Sequence, residues 1–226
     1  MRELLKATVF ALGVMLLALT VTSAFAYEPK DTVRKLVGNY EPLGLERGPM
    51  CSAVVVEPGV LRTARHCVLA GVDAVVAPGM EYPITGGRVL HDADGAVIYA
   101  PGVQCPCAKV DNRLPEVGDA VVLIGYPGSH RLALTEFTGQ VTGIETAAEA
   151  VKRVLGFEEP DDDEFGYLPY IVHTANGGVG TSGGGLFMER DGEWVLVGTH
   201  SFGIDAPVGF FQAITVASGD VPSGRF

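Results

Sequence analysis

Short runs of Val, Ile and Leu recur along this chain, each ended by a turn containing Gly or Pro, and no other feature limits its possible folds as much. The runs occupy 53–56, 74–77, 95–99, 120–124, 139–143, 170–173 and 194–199, with Pro58-Gly59, Pro78-Gly79 and Asp191-Gly192 among the turns. β-Branched residues suit a pleated, half-buried surface, while Gly and Pro supply turn geometry. With 30 glycines in 226 residues, this pattern predicts an all-β sandwich or a pair of barrels. Residues 145–155 break the rhythm, being Ala-rich with helical spacing, and 158–164 form an acidic run. Together they predict a surface helix and a solvated loop inserted between strands. A calcium loop is the sharper reading of the acidic run, but the glycine and ligand spacing of an EF-hand is missing. There is no internal repeat and no Pro/Ser-rich linker, so a boundary between two barrels is expected around 111–118.

Arg2 and Lys6 flank the start of an apolar run over 7–21, and Ala24-Phe25-Ala26 matches the small-x-small pattern cut by signal peptidase. Residues 1–26 are therefore expected to be a signal peptide, with the mature chain, 27–226, secreted or periplasmic. A retained anchor is the alternative, because the run is nearly long enough to span a bilayer. After removal of the leader no membrane partner is expected. The net charge of −11 and pI near 4.8 argue against nucleic acid or anionic lipid as the main partner. Four cysteines in an exported chain point to disulfides. None forms a metal-ligand pattern with the histidines, so no metal site is expected. Cys105-Pro106-Cys107 has two readings, a redox role or an intermolecular one, since a bond within it closes a very small ring.

The strongest local signal is Gly180-Thr181-Ser182-Gly183-Gly184-Gly185-Leu186. A nucleophilic serine needs an exposed hydroxyl on a tight turn, with free backbone N–H groups to receive the developing oxyanion. Gly180 and Ser182 are the natural oxyanion donors. A serine at neutral pH also needs an adjacent base. Upstream lie Thr63-Ala64-Arg65-His66-Cys67 and His91-Asp92-Ala93-Asp94-Gly95-Ala96-Val97-Ile98. A buried carboxylate beside His66 would fix the imidazole tautomer and stabilise the imidazolium formed on proton transfer.

Taken together, these strings resemble the trypsin/chymotrypsin superfamily. The order His, Asp, Ser matches. Residues 63–67 are similar to the family's Thr-Ala-Ala-His-Cys, with Arg65 in place of an alanine. Residues 94–98 resemble Asp-x-Ala-Leu-Leu, and 180–186 resemble Gly-Asp/Asn-Ser-Gly-Gly-Pro-Leu. Val117-Gly118, 121–127 and Thr138-Gly139-Gln140-Val141 are similar to the periplasmic heat-shock protease domain, and 198–203 to the substrate-binding strand after the nucleophile. The resemblance covers about 51–214. It implies two six-stranded antiparallel β-barrels, at about 45–112 and 113–216, with the active site in the cleft between them. It implies a serine endopeptidase acting on polypeptides through an acyl-enzyme, with His66, Asp94 and Ser182 as the triad and no cofactor. Asp92 is the alternative acid, since it shares strand parity with Asp94. Cys51 and Cys67 have the spacing of the family's disulfide across the histidine loop, with two buried free thiols as the alternative.

Departures from the family carry information too. There is no Ile-Val-Gly-Gly activation sequence, and Thr181 stands where zymogen-type members carry an aspartate, so activation by a new N-terminus is not expected. The chain ends soon after the protease region, which leaves no expected PDZ domain. By the same resemblance Asn176 lies at the base of the specificity pocket, where Arg/Lys-cutting members carry an aspartate. Gly203 and Gly209 fall where small residues leave such a pocket open. His200, just before Ser201 on the pocket wall, resembles the specificity histidine of glutamyl endopeptidases and implies a preference for Glu or Gln before the cut. A buried histidine beside an apolar pocket for Phe, Tyr or Leu is the competing reading. The alternatives to an endopeptidase are a catalytically silent trypsin-like fold acting as a protein-binding module, and an esterase.

Overall fold

The structure is a computed structural model that describes residues 27–40, 45–128, 133–155, 168–205 and 211–220. Residues 1–26, expected as a signal peptide, the acidic run and Gly209 lie outside the described residues. Among the described residues, thirteen strands and two α-helices carry the fold. The first half contains β1 (Val33–Tyr40), β2 (Leu45–Glu57), β3 (Val60–Thr63), β4 (Val72–Ala77), β5 (Met80–Pro83), β6 (Gly86–Val89) and β7 (Ala96–Tyr99), with α1 (Arg65–Leu69) between β3 and β4. These strands form one seven-stranded antiparallel sheet in the order β5-β4-β1-β2-β3-β7-β6. Its two edge strands, β5 and β6, follow one another in the chain across Ile84 and Thr85. The chain itself, rather than a strand ladder, thus carries one edge to the other. The second half holds β8 (Ala120–Gly125), β9 (Thr135–Glu145), β10 (Tyr170–His173), β11 (Gly185–Arg190), β12 (Glu193–Asp205) and β13 (Phe211–Ala217), which close into a six-stranded barrel. The all-β, two-barrel architecture is that of chymotrypsin-like proteins, with the first barrel built as an open seven-stranded sheet.

Strand parity sorts the side chains into interior and seam. In β2, Cys51, Ala53 and Val55 enter the core of the first half with Leu36, Leu61, Val75 and Ile98. Val54, one residue out of phase, joins Val33, Ile124, Phe187 and Leu196 between the halves. A second seam cluster joins Val60, Ala93 and Val97 of the first half to Tyr170, Val172, Ile214 and Val216 of the second. The barrel interior is filled by Val121, Leu123, Val141, Ile171, Leu186 and Val197. The hairpin from β11 to β12 turns on Asp191 (φ 54°) and Gly192 (φ 77°), both in the left-handed region required by a two-residue turn of matching twist.

The interrupting helix α2 (Ala147–Leu155) starts at a capping box. The Glu149 carboxylate accepts from the Thr146 amide at 2.8 Å, and the Thr146 hydroxyl accepts from the Glu149 amide at 3.2 Å. Its inner face reaches the seam, where the fully buried Ala150 packs in the cluster that holds Ala93 and Tyr170.

Candidate active site

β3 ends at Thr63, and α1 begins two residues later, placing His66 in the first turn of a five-residue helix. Its ring is half exposed. Cys67, the next residue, is fully buried and bonded to Cys51 of β2, with S–S 2.02 Å and Cα–Cα 6.2 Å. The disulfide ties the histidine helix to a central strand of the first sheet.

Asp94 lies in the loop before β7 and is only 5% exposed. Its Oδ2 faces His66 Nδ1 at 2.7 Å, and its Oδ1 accepts from the His66 amide at 2.9 Å. The Ser201 hydroxyl donates to Oδ2 as well. A carboxylate can only accept, so Nδ1 carries the proton that bonds Asp94, and Nε2 is the ring nitrogen left for the cleft. The Asp94 amide is itself bound, donating to the Tyr170 hydroxyl at 2.9 Å. Asp92 is exposed, and the hydrogen bonds and ion pair that His66 makes with a carboxylate are to Asp94. The two acids share sequence parity, but only Asp94 points into the seam.

Ser182 follows Gly180 (φ +98°) and precedes Gly183 (φ +81°). A Cβ on Gly183 would lie 2.1 Å from the Ser52 carbonyl oxygen and 2.2 Å from Thr63 Oγ1, so only glycine fits there. The turn is tied down carbonyl by carbonyl. The Gly178 oxygen accepts from Thr181 N (3.0 Å), Val179 from Gly128 N (2.7 Å), Thr181 from Gly184 N (2.7 Å) and Ser182 from Ser52 N (2.8 Å). The Gly180 oxygen accepts from Ser52 Oγ at 2.9 Å. The Thr181 hydroxyl donates back to the Gly178 carbonyl, bracing the turn from inside where zymogen-type members use an aspartate. Among the described residues, the Gly180 and Ser182 amides have no acceptor. A concave turn with two free N–H groups is suited to an oxyanion. The Ser182 hydroxyl itself donates to the Ser201 carbonyl at 3.2 Å rather than to His66.

Beneath the site lies a buried polar cluster. His200 is 3% exposed and its ring centroid is 6.2 Å from that of His173, which is fully buried. Burial, then the nearby His66, lowers the His200 pKa from 6.5 to about 4, with Asp94 opposing. Burial, then His200, lowers that of His173. His173 Nε2 bonds the Thr215 hydroxyl at 2.8 Å, while the Nδ1 atoms of both rings lack a partner among the described residues. Asn176 and Gly203, assigned by resemblance to the pocket, are both exposed. Ser201, assigned to the pocket wall, also serves the Asp94 carboxylate.

Three residues of this constellation carry no mark in the sequence reading: Ser52, His173 and Tyr170. Tyr170 is the one hydroxyl-bearing aromatic in its Val/Ile run, and a fully buried strand has to find that hydroxyl a partner. His66 also lies within 4.8 Å of the two disulfide sulfurs, which as a disulfide are not thiolate ligands for a metal.

A family model of the trypsin-like peptidase domain matches residues 51–198, and the chain belongs to that family. Among curated proteins, none matches this sequence. Solved structures extend the likeness. The Rv3671c protease from M. tuberculosis in its active form superimposes with a TM-score of 0.66 at 18% identity, covering 85% of this chain and 78% of that one. An inactive form of the same protease gives 0.63 at 18% identity, with 85% and 86% covered. The HtrA-type protease AlgW, solved with a tripeptide, gives 0.60 at 20% identity, covering 83% of this chain and 56% of that one. These likenesses describe the fold; the site rests on this chain's own residues.

Proposed function

We propose that this protein is an exported serine endopeptidase with Ser182 as nucleophile, His66 as base and Asp94 as the acid that orients it. The observation that carries the proposal is the coincidence, at one seam, of a carboxylate-bound imidazole and a glycine turn with two amides that have no acceptor among the described residues. In this mechanism Ser182 Oγ attacks the peptide carbonyl carbon as His66 Nε2 takes its proton. The Gly180 and Ser182 amides receive the oxyanion. His66 then protonates the leaving amine, and water, activated by the same imidazole, releases the acyl group. The Ser182 hydroxyl, which donates to the Ser201 carbonyl, must first leave that bond.

That resting position is what favours the second reading, a silent fold that binds polypeptide without cutting it. A fluorophosphonate probe separates the two. Labelling of the wild type and its loss in Ser182→Ala supports the peptidase; an unlabelled wild type, or a Ser182→Ala protein that still hydrolyses peptide, overturns it.

The finer preference, Glu or Gln before the cut, is supported by a His200 ring that stays neutral at pH 7 and lies near His66 and Asp94. A site built to hydrogen-bond a carboxylate or amide penalises apolar side chains. In a peptide library, His200→Ala should selectively lose cleavage after Glu and Gln. Dominant cutting after aromatic residues, unchanged in that variant, would exclude the preference.

A further inference from the structure

We propose that Ser52 is a positioning residue of the oxyanion site, acting across the seam from the first half of the molecule; the inference rests on the serine-peptidase reading above. The two candidate donor amides belong to different peptide units, 179–180 and 181–182. The unit between them, whose carbonyl is that of Gly180, sets their relative direction. Each outer unit is held by a backbone amide: Gly128 N binds the Val179 oxygen, and Gly184 N binds the Thr181 oxygen. The middle unit is held at its N–H end within the turn, Thr181 N donating to the Gly178 oxygen at 3.0 Å, and at its carbonyl end by one side chain, the hydroxyl of Ser52, at 2.9 Å from the Gly180 oxygen.

The direction of that hydroxyl is itself determined. Ser52 Oγ accepts from the Tyr126 amide at 2.9 Å, which occupies a lone pair and leaves the proton for the Gly180 carbonyl. Ser52 is fully buried, so water cannot substitute. A Cβ on Gly125 would come within 3.1 Å of both Ser52 Oγ and Thr181 Cα, so the strand beside this contact is packed tight. The backbone of Ser52 meanwhile holds the Ser182 carbonyl, and its carbonyl receives the Thr63 hydroxyl at 2.8 Å. Its neighbour Cys51 is bonded to Cys67, beside the base. Two consecutive residues of β2 therefore set the histidine helix and the oxyanion turn in register.

Removing only the hydroxyl separates positioning from folding, because Ser52→Ala keeps the amide that docks the turn on Ser182. The carbonyl end of the middle unit is then unheld and the relative direction of the donors loosens, a loss felt by the tetrahedral species and not by the bound ground state. The test uses the full chain as wild type, Ser52→Ala and Ser182→Ala, with Ser52→Gly in reserve should the alanine variant fail to fold. Five quantities are measured: kcat and KM on a peptide chosen from a cleavage library, affinity for a peptide boronic acid, affinity for the cleavage-product peptide, and melting temperature.

In Ser52→Ala, kcat and boronate affinity should fall together by about tenfold or more, less than the loss of a donor itself. KM and product affinity should stay within about twofold. A kcat within about twofold of wild type would overturn the inference. So would a parallel loss of product affinity, KM and melting temperature, which is the mark of general disordering. A fluorophosphonate-unreactive wild type, equal to Ser182→Ala, would remove the peptidase reading and this inference with it. A reactive wild type with an equal Ser52→Ala would remove this inference alone.

Discussion

At the scale of single residues, the site depends on which polar groups are allowed to stay charged in a buried setting. His200 has its pKa lowered from 6.5 to about 4, so between those values the unfolded chain binds a proton that the folded chain refuses. Stability from this source is complete above pH 6.5 and is lost as the pH falls toward 4, by about 3 kcal/mol in all. Urea titrations at pH 7, 5.5 and 4.5 should show the loss in wild type and a shallower one in His200→Gln; equal slopes would dismiss the assignment. His173, lowered for the same reason, acts in the same direction. The carboxylates divide as sharply. Asp94→Asn should slow hydrolysis by roughly 10⁴ through the wrong tautomer, whereas Asp92→Asn, at an exposed side chain, should leave kcat unchanged. His66, Asp94, Ser182 and Gly180 were legible because each lies in a short string with its own chemistry. Ser52 and Tyr170 were not. A serine after a cysteine and a tyrosine among valines acquire meaning only when the fold sets them across the seam from Gly180 and Asp94.

At the scale of elements, the runs at 120–124 and 170–173 read directly as β8 and β10, because strands buried on the core face are continuous in Val and Ile. β1 was hidden by Arg34 and Lys35. Arg34 is nevertheless buried, its guanidinium donating to the Asp31 and Val33 carbonyls. β5 and β6 are mostly exposed edge strands, with too few apolar residues to show a period. The disulfides differ by element as well. Cys51–Cys67 closes a span of 16 residues and is buried. Replacing both cysteines by alanine should cost about 3 kcal/mol in chemical denaturation. Cys105–Cys107 spans two residues, and Cys105 is exposed, so it restrains the unfolded chain far less and is open to attack. Limited reduction followed by alkylation should tag Cys105 and Cys107 first. Prior tagging of Cys51 and Cys67 would contradict this account.

At the scale of the whole molecule, neither half owns the site. Asp94 and His66 come from the first half, yet the second supplies the hydroxyls of Tyr170 and Ser201 that surround the carboxyl-bearing loop. Arg62, fully buried on β3, donates to the Ser218 carbonyl at 3.0 Å across the same seam, where burial lowers its pKa to about 10. Tyr170→Phe tests this division. It leaves the buried Asp94 amide unpaired and should cost about 1–3 kcal/mol, with a fall in kcat that melting alone does not explain. A variant as stable and as fast as wild type would show that the seam bond is idle. The brace at Thr181 has a further consequence, one of timing. In zymogen-type relatives the turn waits for an amine released by cutting, so a second protease decides when activity begins. Here the Thr181 hydroxyl closes on the Gly178 carbonyl of its own turn. Under the peptidase reading proposed above, the turn is completed by a bond within itself and waits for no released amine, so activity would begin with folding rather than with a cut.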